Sequence, residues 1–346
     1  MMKAAVLHGI RDIRLEELDA PPVDDDGILV RVRSASVCGT DVRMFRNGRT
    51  GGRSDPLIPG HEMSGTVEST NQPGGAYRAG TRVAVAPNMG CGTCDLCVNG
   101  STHLCPDYRA LGIHLDGAFA ELVAVPGRAV AQGNLVELSD HVSFDEAALA
   151  EPLSCVYNGF ERCRIGPGDS VLIFGAGPIG IMHGLLARMA GAAPVMFSDV
   201  SDERLALCHG MDDAFVTVRS ETVKDDVMRL TGNKGVDVGI TACPAPEAQV
   251  LAVELAAIDG RVLFFGGLPA DREQVNLNTN LIHYRQLVVT GTARARLSHY
   301  RKCLELIERK IIDVKPLVTT VCRLEDVPDV LAAASGGKDL KTMIAF

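Results

Sequence analysis

The stretch 151–180 constrains this chain most. A run of Ser170-Val171-Leu172-Ile173-Phe174 leads into Gly175-Ala176-Gly177-Pro178-Ile179-Gly180, and a helix-compatible segment follows. Strand, then G-x-G-x-x-G, then helix is the context in which the glycines have separate uses: a tight turn, close backbone approach to a pyrophosphate, and close packing of helix on sheet. A dinucleotide is expected there. The next apolar run, Val195-Met196-Phe197-Ser198, ends at Asp199, where a carboxylate can accept hydrogen bonds from an adenosine ribose. That carboxylate would repel a 2′-phosphate, so it points to NAD rather than NADP. An ordinary Gly-rich turn is the competing reading, and strand, helix and Asp199 together weigh against it. Residues 171–197 are apolar enough to suggest a membrane span, but His183, Arg188 and repeated Gly and Pro break the run.

A length of 346 residues suggests two domains. With 46% hydrophobic and 22% charged residues the chain reads as globular, and a net charge of −9 argues against binding to phosphate backbones, which needs a basic surface. Arg11, Asp12 and Arg14 fall where a signal peptide would need its apolar core, so a cytoplasmic protein without membrane partners is expected. Eleven cysteines in such a compartment read as thiols and metal ligands rather than disulfides. Cys155, Cys163, Cys208, Cys243, Cys303 and Cys322 stand singly in apolar or helical contexts and read as buried small hydrophobes.

Strands are expected at 3–8, 28–37, 63–68, 81–86 and 118–125, bounded by Gly and Pro, which makes the first part a mostly antiparallel β domain. Ser143-Phe144-Asp145-Glu146 is a capping box that opens a helix. Beyond Gly180, helices at 178–190, 202–209, 222–230 and 246–258 alternate with strands at 195–198, 214–218, 236–241 and 261–265. A last strand is expected at 287–290. With 170–174 these strands have the content of a doubly wound parallel sheet. The tail, a helix at 297–310 and strands at 317–323 and 341–346, should return to the first domain.

Cys91-x2-Cys94-x2-Cys97-x7-Cys105 is the strongest local signal. Two-residue gaps bring sulfurs to one point, and four thiolates complete a tetrahedron with no open position, as a structural zinc requires. A redox dithiol or unliganded thiols would explain fewer of these cysteines. A second set is dispersed: Cys38-Gly39-Thr40-Asp41, Gly60-His61-Glu62, and Glu151. One thiolate, one imidazole and one or two carboxylates can hold zinc and leave a position for water or an alcohol oxygen.

In this order, Cys38-Gly39-Thr40-Asp41, Gly60-His61-Glu62, the four-cysteine lobe, Glu151-Pro152-Leu153 and the glycine loop make the chain resemble the zinc-dependent medium-chain dehydrogenase/reductase family, in its sorbitol (L-iditol) and L-threonine dehydrogenase branch. The resemblance implies a GroES-like catalytic domain from 1–151 and 294–346, carrying the zinc lobe at 90–106, and a Rossmann NAD-binding domain at 152–293. It also implies a cleft where zinc faces nicotinamide, two zinc ions per chain, and a homodimer or homotetramer. Carried over by position, Cys38, His61 and Glu62 bind the catalytic zinc, and Glu151 binds it or holds its water. Ile179, Asp199, Arg204, Phe265, Gly266, Gly267, Thr292, Ala293 and Arg294 contact the cofactor, with Arg294 also near the substrate. One position departs from the branch, which places a proton-relaying His where this chain has Arg43. Arginine stays protonated, so Thr40, the ribose and water must carry that proton, or Glu62 or Glu151 takes part.

The expected reaction is oxidation of a secondary hydroxyl of a polyol, sugar alcohol or cyclitol to a ketone. Zinc acidifies the hydroxyl, Thr40 accepts the proton, and hydride passes to NAD. The alternatives are an L-threonine 3-dehydrogenase and a non-catalytic NAD-binding scaffold or regulator.

Overall fold

Alternation of apolar and polar residues makes Ile28–Ser36 a strand with one dry face, and it becomes the central strand of a β unit. The computed structural model describes residues 1–48, 56–71, 75–333 and 339–346. The chain divides into two units, Met1–Ser154 with Ala295–Phe346, and Cys155–Arg294.

In the first unit, among the described residues, a seven-stranded sheet runs in the order Val318–Arg323, Lys341–Ala345, Ile28–Ser36, Glu62–Thr70, Arg82–Val85, Leu135–Glu137, with Leu122–Val125 also paired to Ile28–Ser36. Its pairings are antiparallel except that of the two C-terminal strands, which is parallel. Val30, Val32, Met63, Val67, Val83, Val85 and Phe119 fill its core. The hairpin Met2–Gly9 with Asp12–Leu18 packs against the same core through Ala4, Ala5 and Val6. The strand Lys341–Ala345 inserts between Val318–Arg323 and Ile28–Ser36, with Met343 opposite Ser36 and the amide of Val37 donating to the Thr342 carbonyl at 3.0 Å.

The second unit holds a six-stranded parallel sheet in the order Phe215–Arg219, Val195–Asp199, Val171–Phe174, Val236–Thr241, Ala256–Phe264, Val288–Gly291. This is the doubly wound order, with the strand direction of winding reversing between Val171–Phe174 and Val236–Thr241. Val171, Leu172 and Ile173 are fully buried, as a central parallel strand covered on both faces must be.

Several elements depart from expectation. The helix Pro246–Leu255 stops three residues short of 258, because Ala256 already pairs with Val236 as strand; the sheet overrides the helix-forming alanines that follow Leu255. The strand Asp12–Leu18 and the short helices Gly39–Asn47 and Val327–Ala333 stand outside the expected set; the helices bury Asp41, Met44 and Phe45, and Val327 and Leu331, on one face each. Around the Ser143 capping box the helix Phe144–Ala148 ends at Leu149, and Ala150–Cys163 begins a new one.

Candidate functional site

Cys38 is the N-cap of the helix Gly39–Asn47, and its amide donates to Asp41 Oδ2 at 2.9 Å. Asp41 is buried, and its other oxygen lies 3.4 Å from the Gly60 amide and 3.4 Å from His61 Nδ1. One carboxylate thus aligns the residue after the turn with the cysteine before the helix, the usual arrangement behind a metal-binding imidazole. Gly60 is required by that turn: its φ is +95°, and a Cβ there would sit 2.5 Å from the Phe119 ring and 2.9 Å from the Phe119 amide nitrogen. Glu62 opens the strand Glu62–Thr70 opposite Ser36.

These elements bring one donor atom each from Cys38, His61 and Glu62 within 4.8 Å of one another. His61 and Glu62 are buried while Cys38 is partly exposed, so the set is open on the cysteine side. Burial works against a charged His61 imidazole, but the Asp41 carboxylate and the Cys38 thiol outweigh it and hold its pKa well above the ordinary value. The same carboxylate and sulfur supply the negative field that a divalent cation would meet here. Glu62 Oε1 is buried without a hydrogen-bond partner, which is tolerable for an oxygen that is to meet a metal. The donors fit zinc.

Glu151 stands outside this set, although it is buried in the first turn of Ala150–Cys163 and its charge acts on Lys341 and Tyr300. Thr40 lies in the first turn of Gly39–Asn47, where its Oγ1 accepts a bond of 3.0 Å from Arg43 Nη2. Two residues at this centre lack a signal of their own in the sequence. Ser36 and Lys341 both donate to Glu62 Oε2, and Lys341 also donates to the Val37 carbonyl at 3.1 Å. Burial pulls the Lys341 ammonium down, yet Glu62, Cys38 and Glu151 hold it above the usual lysine value. Asp41, by contrast, stands in the sequence as a carboxylate three residues after Cys38.

The four lobe cysteines also bring their sulfurs within 4.8 Å, with Cys91 Sγ 3.9 Å from Cys97 Sγ and Cys94 Sγ 3.8 Å from Cys105 Sγ. The Thr93 hydroxyl and amide, with the Cys94 amide, bring the Cys91 thiol down to about 6, whereas burial pushes Cys97 up to about 12. Four thiolates this close repel one another unless a cation is shared, which is the fit expected of a closed zinc site. The lobe is tied down from outside by Arg128 Nε and Gln132 Nε2, which donate to the Gly90 carbonyl at 2.7 and 2.8 Å.

In the second unit, Gly175 and Ala176 turn away from the end of Val171–Phe174, and Gly177 caps the helix Pro178–Met189. A Cβ on Gly180 would lie 1.9 Å from the Gly175 carbonyl, so the loop and helix can close only over glycine. Asp199 holds this loop. Its Oδ2 accepts from the Ala176 amide at 2.8 Å and its Oδ1 from the Ser201 amide at 3.0 Å. The Arg204 guanidinium is 3.9 Å from where a Gly177 Cβ would stand. Phe265 and Gly266 follow the strand Ala256–Phe264, and their amides donate to the Thr241 carbonyl at 3.2 and 2.8 Å. Thr292, Ala293 and Arg294 follow Val288–Gly291; the Thr292 hydroxyl is buried without a partner, and the Arg294 carbonyl accepts from Asn158 at 2.9 Å. The glycine loop, Asp199, Phe265, Gly266 and Thr292 to Arg294 lie at or just beyond the carboxyl ends of parallel strands, where nucleotides bind in such sheets.

Residues 24–135 match the alcohol dehydrogenase GroES-like domain, and residues 178–309 match the zinc-binding dehydrogenase family. Sorbitol dehydrogenase of Bacillus subtilis (strain 168) is 31% identical over 349 residues, covering 99% of this chain and 97% of that one. The chain belongs to the zinc-dependent medium-chain dehydrogenase/reductase family. L-threonine 3-dehydrogenase of Bacillus velezensis is 32% identical over 320 residues, covering 90% of this chain and 89% of its own. Among solved structures, a Sinorhizobium meliloti 1021 protein bound to NADP superposes with a TM-score of 0.91 at 29% identity, covering 100% of this chain and 99% of that one. This zinc-dependent dehydrogenase is therefore an enzyme, an oxidoreductase of the NAD type with a GroES-like unit and a Rossmann unit. No helix among the described residues is long and apolar enough to cross a membrane.

Proposed function

We propose that the enzyme oxidises a secondary hydroxyl of a polyol, sugar alcohol or cyclitol to a ketone, with NAD as hydride acceptor. The observation that carries this reading is the convergence of Cys38, His61 and Glu62, with donor atoms within 4.8 Å. A carboxylate in such a set makes the site harder than one built on two thiolates and suits hydroxyl-rich substrates. The likeness to a sorbitol dehydrogenase over nearly the whole chain supports the polyol class.

Zinc bound by Cys38, His61 and Glu62 would supply Lewis acidity at the alcohol oxygen, and bound NAD would supply the hydride acceptor. Thr40 accepts the hydroxyl proton. Arg43, whose guanidinium donates to Thr40 Oγ1, orients that hydroxyl and, having no acceptor atom, cannot take the proton on; Thr40 would release its own proton to the ribose of bound NAD and water, or to Glu62 or Glu151. Glu151 adds negative charge beside the metal-holding set. Gly175, Gly177, Pro178, Ile179, Gly180, Asp199, Arg204, Phe265, Gly266, Gly267, Thr292, Ala293 and Arg294 hold the cofactor, Arg294 also meeting the substrate. The Asp199 carboxylate, with both oxygens bound to amides, favours NAD. The similar Sinorhizobium protein is bound to NADP, so both cofactors belong in the first assay. We expect a cytoplasmic homodimer or homotetramer.

A second reading, L-threonine 3-dehydrogenase, is supported by the Bacillus velezensis relative and needs a clamp for carboxylate and ammonium. The test is a panel of polyols, inositols and L-threonine with NAD or NADP, followed at the nicotinamide absorbance. Polyols should turn over fastest, with NAD preferred. Cys38→Ser and His61→Ala should lower turnover by about a thousandfold or more, on the scale of losing a principal transition-state stabiliser, with NADH affinity nearly intact. Wild-type activity in either variant would end the zinc assignment. Tight NADH binding with no turnover of any alcohol would favour a non-catalytic scaffold.

A further inference from the structure

Lys341 is buried 279 positions along the chain from the carboxylate that it pairs with, and the proposed chemistry gives it no task. A lysine almost never goes fully inside without a specific partner. Here the partner is Glu62 Oε2, which also accepts the Ser36 hydroxyl. The carboxylate is dressed on one side only: Oε2 has two donors, and Oε1 is buried with none. The same ammonium donates to the carbonyl of Val37, the residue before Cys38. One cation on the C-terminal strand thus grips the elements that carry two of the three converging donors.

We propose that Lys341 is a positioning residue for the metal centre: with Ser36 it fixes the Glu62 carboxylate so that Oε1 alone is left for the ion, and through Val37 it holds the Cys38 turn in register with it. This rests on the reading of Cys38, His61 and Glu62 as a zinc-holding set. The groups that surround the ammonium all bear on this role. Glu62, Cys38 and Glu151 supply negative charge, so the cation balances a set of acidic donors that would otherwise repel one another when no metal is bound. Outer groups that orient metal ligands commonly account for tenfold to a hundredfold in metal affinity, about what is asked of Lys341 here.

The test uses full-length, zinc-loaded protein exposed to a chelator for timed intervals, with zinc per chain measured by plasma emission. The four-cysteine zinc is the internal reference, and His61→Ala marks the count that remains when only that zinc is held. Lys341→Met keeps the length of the side chain without its charge, and it should lose one zinc about tenfold faster than wild type or more, with the second released at the wild-type rate. Lys341→Arg should restore retention, and Ser36→Ala should fall between. Release of both zincs at wild-type rates from Lys341→Met overturns the proposal, as does loss of both together with a lower melting temperature, which marks a merely structural lysine. If Lys341→Met does not fold, Ser36→Ala decides: unchanged release of both ions overturns the proposal. A wild-type protein with one zinc only would instead sink the metal reading itself and this inference with it.

Discussion

His183 lies in the helix that follows the glycine loop, buried, with both ring nitrogens lacking hydrogen-bond partners and its ring edge-on to Phe265 at 4.8 Å. Burial lowers its pKa to about 3, so the folded state keeps it neutral. The unfolded chain binds that proton near pH 6.5, and stability is therefore complete above that value and lost as pH falls, at about 1.4 kcal/mol per unit until the folded pKa is reached. His183→Leu should remove both this slope and the unpaired polar group, raising stability at neutral pH by about 1–3 kcal/mol. Urea midpoints of wild type and variant between pH 7 and 4 check it; parallel pH profiles would show that His183 is hydrogen-bonded after all. Residues differ in how far the sequence betrays them. Cys38, His61 and Glu62 were legible only as a set, beside a dinucleotide loop and through the family resemblance, since a lone cysteine or histidine usually has a structural use; the structure brings one donor atom of each within 4.8 Å. Lys341 was not legible, since a lysine in a tail normally reads as a solvated surface charge, and only the insertion of Lys341–Ala345 between Val318–Arg323 and Ile28–Ser36 buries it.

At the scale of elements, the four-cysteine lobe has little core: among the described residues its apolar cluster holds four buried members, Cys97, Cys105, Tyr108 and Ala110. So few apolar side chains cannot offset the ordering of the loop, and the shared ion must do so. Cys97→Ser should therefore make 90–106 the first site of proteolysis and leave nicotinamide binding unchanged. Limited digestion with mass spectrometry reads this directly, and wild-type resistance would show that Arg128 and Gln132 suffice to hold the lobe. The glycine loop and its flanking strands were legible for the opposite reason: in a parallel sheet each strand is a buried apolar run, and each connection is a local helix. Asp12–Leu18 was hidden because the alternation of Ile13 and Leu15 with Arg14 and Glu16 breaks at Glu17 after a few residues, and only Ile13 of that strand is buried. Beyond Leu255 the alanines favour helix on their own, and only the pairing of Ala256 with Val236 decides otherwise.

At the scale of the molecule, the two units differ in how their contacts are spread along the chain. Cys155–Arg294 is continuous and has its own core around Leu172, Met196, Val253 and Val262, whereas the other unit needs both chain ends. The return of the tail could be expected from its apolar strands, but its register could not, because pairing over such a separation leaves no local trace. Lys341–Ala345 bridges Val318–Arg323 to Ile28–Ser36, and removing it exposes two strand edges and takes away the partner of Glu62. A chain ended at Leu340 should therefore lose order in the β unit and retain the nucleotide unit. Limited proteolysis should leave a protected fragment close to 155–294, and NADH binding, followed by nicotinamide fluorescence, should survive in the shortened chain. Loss of NADH binding together with the β unit would mean that the nucleotide sheet depends on the chain ends for its own stability, contrary to the separate core that it carries.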